Sequence, residues 1–205
     1  MQIKNLFPGS FGSNCYVISD SSHAAVIDPS ASISGILGYL KENGLTLDYI
    51  ILTHGHFDHM LSLDGLKEAT GATAYIHRDD AENLSDGEKN AFSLFFGQNR
   101  KFSPCEKLLL HGDTLPLGGI TLEIIHTPGH TRGGICIKAG NALFTGDTIF
   151  ADSYGRCDLY GGSYSTLRSS LSYLREYGKN QNLTIYPGHG GSAKLQNALD
   201  IVEYL

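Results

Sequence analysis

No apolar run in this chain approaches the roughly 18 residues of a membrane span. Its start, MQIKNLFPGSFGSN, carries one lysine and no long apolar segment, so it does not read as a secretory leader. No basic run exceeds two residues and the net charge is −6, which argues against a nucleic-acid partner. No C-x-x-C pair occurs; Cys15, Cys105, Cys136 and Cys157 are scattered. They suggest neither a zinc ribbon nor a disulfide framework and are expected as free thiols. What these absences leave as the expectation is a cytoplasmic protein with neither a membrane nor a nucleic-acid partner. The composition is that of a globular protein, 41% hydrophobic and 18% charged. Residues 1–205 are expected to form one domain, burying about 70% of the unfolded surface.

What the chain has in excess is glycine, 25 residues, many of them in turns beside histidines. Short strands and amphipathic helices alternate. CYVISD and AAVIDPS read as a strand hairpin, and Ile33, Ile36, Leu37 and Leu40 mark one helix face ending near Gly44. DYIILT is an apolar strand, LDGLKEAT a short helix closed by Gly71, and ATAYIH another strand. Tyr164, Leu167, Leu171 and Leu174 make a second helical stripe, and Leu195, Leu199 and Val202 a third. Residues 79–104 are the least regular and read either as a core cap or as a wall over a site.

Four apolar strands end in a turn that delivers a His or Asp. YIILT runs into His54, His56, Asp58 and His59; LEIIHTPG into His130; ALFTG into Asp147; LTIYPG into His189. Each of these side chains costs free energy to desolvate, and each is a ligand type for divalent metals. Strand ends of one sheet lie side by side, so the seven can converge on one edge. Seven ligands exceed the four of a closed tetrahedral site and suit two ions sharing a carboxylate, with positions open to water.

The ordered set IDPS, THGHFDH, TPGHT, GDTIF and YPGHG, from Asp28 to Gly190, resembles the metallo-β-lactamase fold superfamily, and within it the glyoxalase II (hydroxyacylglutathione hydrolase) branch. The resemblance is to a small form without the C-terminal helical domain that contributes to glutathione binding. It implies an α+β fold, a four-layer αβ/βα sandwich with the metal site at one edge between two sheets. It also implies that His54, His56 and His130 hold one metal and Asp58, His59 and His189 the other. Asp147 then bridges, and Asp28 supports the ligand loop. The ions would be zinc, with iron or manganese as alternatives. His126, His77, His111 and His23 are not needed by this chemistry.

The activity so implied is a thioesterase cleaving S-acylglutathione-like thioesters by attack of metal-activated hydroxide, with Asp58 and Asp147 as the catalytic carboxylates orienting it. A thiol with a pKa near 8.5 leaves as thiolate and needs no dedicated acid. YGRCDLYGGS resembles the G-R-x-D segment of small glyoxalase II-like proteins, with Cys157 where Thr is frequent. Arg156 is there a candidate anchor for a substrate carboxylate, or half of a structural pair with Asp158. Tyr154 and Tyr160 are weaker candidates for lining the pocket. The strongest rival is a persulfide dioxygenase holding one iron through two His and one Asp. A lactonase shares the full ligand set, whereas a β-lactamase fits less well because a bridging Asp147 is not a feature of those enzymes. A purely structural metal protein would need closed coordination.

Overall fold

The computed structural model describes residues 1–6 and 12–203. Among the described residues, twelve strands form two six-stranded sheets. The first runs in spatial order through β1 (Gln2–Asn5), β2 (Tyr16–Asp20), β3 (His23–Ile27), β4 (Thr46–Ile51), β5 (Thr73–His77) and β6 (Lys107–Leu109). The second contains β7 (Thr114–Leu117), β8 (Ile120–His126), β9 (Ile135–Ala139), β10 (Ala142–Gly146), β11 (Thr184–Pro187) and β12 (Ala193–Lys194), in the order β12-β11-β10-β9-β8-β7. Five helices accompany them: α1 (Ile33–Glu42), α2 (Leu63–Thr70), α3 (Phe92–Phe96), α4 (Tyr164–Gly178) and α5 (Leu195–Val202).

The central strands are apolar at consecutive positions because both of their faces are covered. Val17, Val26 and Ile50 point to one side and pack with Leu40 of α1 and with Leu63 and Leu66 of α2. Their neighbours Ile18, Ile27 and Ile51 point the other way, onto Ile124, Ile137 and Phe144 of the second sheet. Beyond that sheet, Cys136, Leu143 and Ile185 pack with Leu174 of α4 and with Leu195 and Leu199 of α5. The result is a helix–sheet–sheet–helix sandwich. Each buried aliphatic contributes about 1.5–3 kcal/mol of transfer free energy, and the period of two sends that gain alternately to two different cores. The helices begin where the chain offers a capping hydroxyl. Ser32 Oγ accepts from the Gly35 amide at 3.2 Å, and Ser163 Oγ from that of Thr166 at 3.3 Å. α2 closes on Gly71 in the left-handed conformation.

Strand direction positions the site. β3, β4 and β5 pair in parallel, as do β10 and β11. β8 and β10 are both antiparallel to β9 and so run the same way. The carboxyl ends of β3, β4 and β5, and likewise of β8, β10 and β11, therefore emerge together, and the turns that follow them meet.

Candidate metal centre

The turns bring all seven expected ligand residues together. Ligand atoms of His54, His56 and His130 lie within 4.8 Å of one another, and so do those of Asp58, His59 and His189. Asp147 stands between the two groups. Its Oδ2 is 3.6 Å from His130 Nε2 and 3.5 Å from His189 Nε2, and its Oδ1 is 3.5 Å from His59 Nε2. Asp58 Oδ2 is 3.5 Å from His59 Nε2 and 3.4 Å from His189 Nε2. Such spacings suit donors that share an ion, since tetrahedral nitrogen ligands about 2.0–2.1 Å from a metal stand roughly 3.3 Å apart.

Hydrogen bonds on the outer side orient the rings. His59 Nδ1 donates to Asp28 Oδ2 at 2.9 Å, and His130 Nδ1 to the Arg156 carbonyl at 2.6 Å, so Nε2 of each faces inward. His54 Nδ1 is 3.1 Å from Thr53 Oγ1, which donates to Asp28 Oδ2 at 2.7 Å. Asp28 also accepts from the Thr53 amide at 2.7 Å, and its own backbone is left-handed, φ 52°. It binds the two ends of the ligand loop to β3.

A buried polar atom without a partner is costly. His54 Nε2, His56 Nε2, His59 Nε2 and Asp147 Oδ1 are four such atoms, buried and lacking a hydrogen-bond partner. Unpartnered buried atoms beside two groups of three possible ligands are what a divalent cation satisfies, and the His and Asp donors are of the kind such ions take. Glycine allows the close approach. A Cβ on Gly188 would lie 2.2 Å from Asp147 Oδ1, and one on Gly129 would lie 2.3 Å from the Leu167 amide nitrogen. Each precedes a candidate ligand.

Electrostatics divide the histidines. Burial, with neighbouring imidazoles, pushes His56 down to about 3 and His54 well below the ordinary range, so both are neutral and ready to ligate. Burial would also lower His59 and His189, but Asp58 and Asp147 outweigh it and raise them to about 9 and about 10. Asp147 is held well below the usual carboxylate range: burial opposes this, and His59 and His189 overcome it. In the metal-free protein His59 and His189 are therefore protonated at pH 7. A histidine ligand must be neutral, so loading both ions at pH 7 is expected to release about two protons. Apparent metal affinity should rise with pH toward those values. Calorimetry in buffers of different ionisation enthalpy measures this; proton release near zero would contradict it.

Other expected residues take different places. Arg156 lines the cleft over the centre but is engaged by Asp158 in a bidentate pair at 2.6 and 2.7 Å. Tyr154 lines a separate groove with Tyr164, Arg168 and Leu199, and the Tyr160 hydroxyl donates to Glu82 at 2.9 Å. His126 is a hydrogen-bonded neighbour, its Nε2 2.8 Å from the Arg132 carbonyl and its ring stacked 4.0 Å from that of His77. His23 is exposed and contacts Asp48 at 2.7 Å. Residues 79–104 serve both expected purposes, since Phe102 enters the core while Ala91 and Phe95 border the cleft.

Asp80 was not among the residues expected. It is buried and accepts from the Gly55 amide, the Thr131 hydroxyl and the Gly133 amide at 2.9, 2.6 and 2.7 Å, clasping the two loops that carry His54, His56 and His130. The signal was present: β5 ends at His77 and delivers Asp80 three residues on, the same rule that reveals the other four turns.

The cysteines are passive. Burial pushes Cys15 and Cys105 up to about 12 and Cys136 to about 11; burial and Asp158 also raise Cys157, which is half-buried. The thiolate is the reactive form, so all four are expected to react with a disulfide reagent at pH 7.5 at under roughly a tenth of the denatured rate. Fast labelling of Cys157 would contradict this.

A two-sheet sandwich with a cluster of five histidines and two aspartates on one edge defines a class of metal-dependent enzymes. The chain belongs to the metallo-beta-lactamase superfamily, whose family profile matches residues 8–189. It is 32% identical to the hydroxyacylglutathione hydrolase GloC of Haemophilus influenzae, over 93% of this chain and 91% of that one. The fold is shared with the B3 metallo-beta-lactamase BLEG-1 at a TM-score of 0.90 and 28% identity, covering 97% of each chain. It is also shared with TTHA1623, solved in a di-iron-bound form, at a TM-score of 0.84 and 27% identity over all of both chains.

Proposed function

We propose that this chain, as one domain over residues 1–205, is a dinuclear-metal hydrolase that cleaves acyl thioesters, in the manner of the hydroxyacylglutathione hydrolases. The observation that carries the reading is the set of orphaned buried atoms on His54, His59 and Asp147 beside the remaining candidate ligands. In it His54, His56 and His130 would hold one ion and Asp58, His59 and His189 the second, with Asp147 available to both. When bound, such ions polarise a carbonyl and lower the pKa of a water to about 7 from 15.7.

The chain's own residues do the rest. Asp58 and Asp147, both held ionised by the histidines around them, accept hydrogen bonds from the attacking water and orient it toward the carbonyl carbon. Asp28 and the Arg156 carbonyl keep the His59 and His130 rings in the tautomer that leaves Nε2 free. The acyl–sulfur bond breaks with the electron pair leaving on sulfur, and a thiolate needs no proton from the enzyme. The likeness to GloC supports the thioester over other acyl compounds. The reading is tested by hydrolysis of S-lactoylglutathione by protein carrying two equivalents of zinc or iron. Rapid turnover bears it out. Cleavage of a β-lactam or a lactone without thioester cleavage would replace it, as would oxygen consumption with a persulfide by the iron-loaded protein.

A further inference from the structure

We infer that the acyl group taken by this site is an apolar chain, a specificity set by Phe95 together with Leu159; the inference rests on the hydrolase reading above. Above the candidate ligands opens a cleft of about 410 Å³. Besides those ligands it is bordered by Phe57, Ala91, Phe95, Phe150 and Leu159. Arg156 is the one lysine or arginine among the described residues that border it, and Asp158 neutralises that guanidinium through both of its oxygens. An anionic acyl group finds no free lysine or arginine there. A hydrocarbon chain finds five apolar side chains.

The aromatic border is built in place. Asn90 is fully buried; its carbonyl accepts from the Phe57 amide at 3.0 Å, its Oδ1 from the Phe92 amide at 3.0 Å, and its Nδ2 donates to the Arg100 carbonyl at 2.9 Å. The segment bearing Phe95 is thereby fastened to the loop that carries His56 and Asp58. The next residue, Ala91, is held in the left-handed conformation at φ 67°, a strain that an L-residue with a Cβ adopts only under constraint. It turns α3 so that Phe95, 56% exposed, stands at the cleft with its ring 5.6 Å from that of Phe57. A large apolar side chain held exposed beside a polar centre marks a surface that a ligand covers.

The test separates binding from turnover. Zinc-loaded protein is titrated calorimetrically with straight-chain carboxylates from acetate to octanoate, mimics of the acyl product. Binding is expected to tighten about two- to fourfold for each methylene beyond butyrate. Phe95→Ser, at an exposed position, should flatten that series, and Phe95→Leu should restore it. Octanoate binding within twofold of acetate, or an undiminished series in Phe95→Ser, would overturn the inference. Acetyl and octanoyl thioesters of one common thiol are then compared, with kcat/KM expected to favour octanoyl by at least tenfold. Hydrolysis indifferent to chain length would overturn the inference and leave the thioesterase standing. Chain-length-dependent binding with no hydrolysis of any thioester would do the reverse.

Discussion

Asp147→Asn is expected to lower hydrolytic turnover by about a thousandfold or more while the protein stays folded. The substitution keeps the volume and one carbonyl oxygen, so packing at the end of β10 is preserved. It removes the negative charge that lies 3.5–3.6 Å from the inward nitrogens of His59, His130 and His189. Its Oδ2 lies between His130 of one group and His189 of the other while Oδ1 faces His59, so the variant should also bind fewer than two ions. Steady-state rates with metal content measured on the same sample give the answer. Turnover within tenfold of the parent, at full metal content, would remove Asp147 from the centre.

Asp80→Ala should be among the most destabilising substitutions outside the cores, by about 3–5 kcal/mol. Three donors would lose their acceptor at once: the Gly55 and Gly133 amides and the Thr131 hydroxyl. Burial costs Asp80 something and leaves its carboxyl's pKa raised, although these three bonds offset part of that cost. The adjacent Asp79 is the control. Its side chain is 39% exposed and pairs with the neighbouring His77 and Arg78, so Asp79→Ala should change stability by less than about 0.5 kcal/mol. Chemical denaturation of both variants measures the difference. A loss below 1 kcal/mol for Asp80→Ala would mean that water replaces the carboxylate and the two loops do not depend on it. Because those loops carry His54, His56 and His130, metal affinity should fall with stability.

The long, regular elements were legible in the sequence. The stripe Tyr164, Leu167, Leu171 and Leu174 lies on α4, and the hairpin around Ser-Ser-His is β2 and β3. Strands with weak local signals were not. β7 contains Pro116, which argues against a strand, yet β7 is at the edge of its sheet, where a missing amide donor costs no ladder bond. β6 has three residues and β12 two, too few for a period to show. They form because a neighbouring strand offers them a free edge. α3 is preceded by Ala91 in a left-handed conformation that an L-residue disfavours, and tertiary hydrogen bonds through Asn90 impose it.

What the chain by itself determined is which residues stand at strand ends and which faces are apolar, because periodicity and turn chemistry act over a few neighbouring residues. His54, His56, Asp58, His59, His130, Asp147 and His189 could be chosen on that ground. Which of them face one another is a matter of strand order and direction, and the pairs involved are separated by up to 131 residues, as with Asp58 and His189. Only the packed sheets could decide that Asp80 clasps two ligand loops, that Arg156 is already neutralised by Asp158, and that Phe95 stands over the centre. Each of those outcomes depends on long-range burial and on hydrogen bonds between distant segments, for which local sequence carries no term.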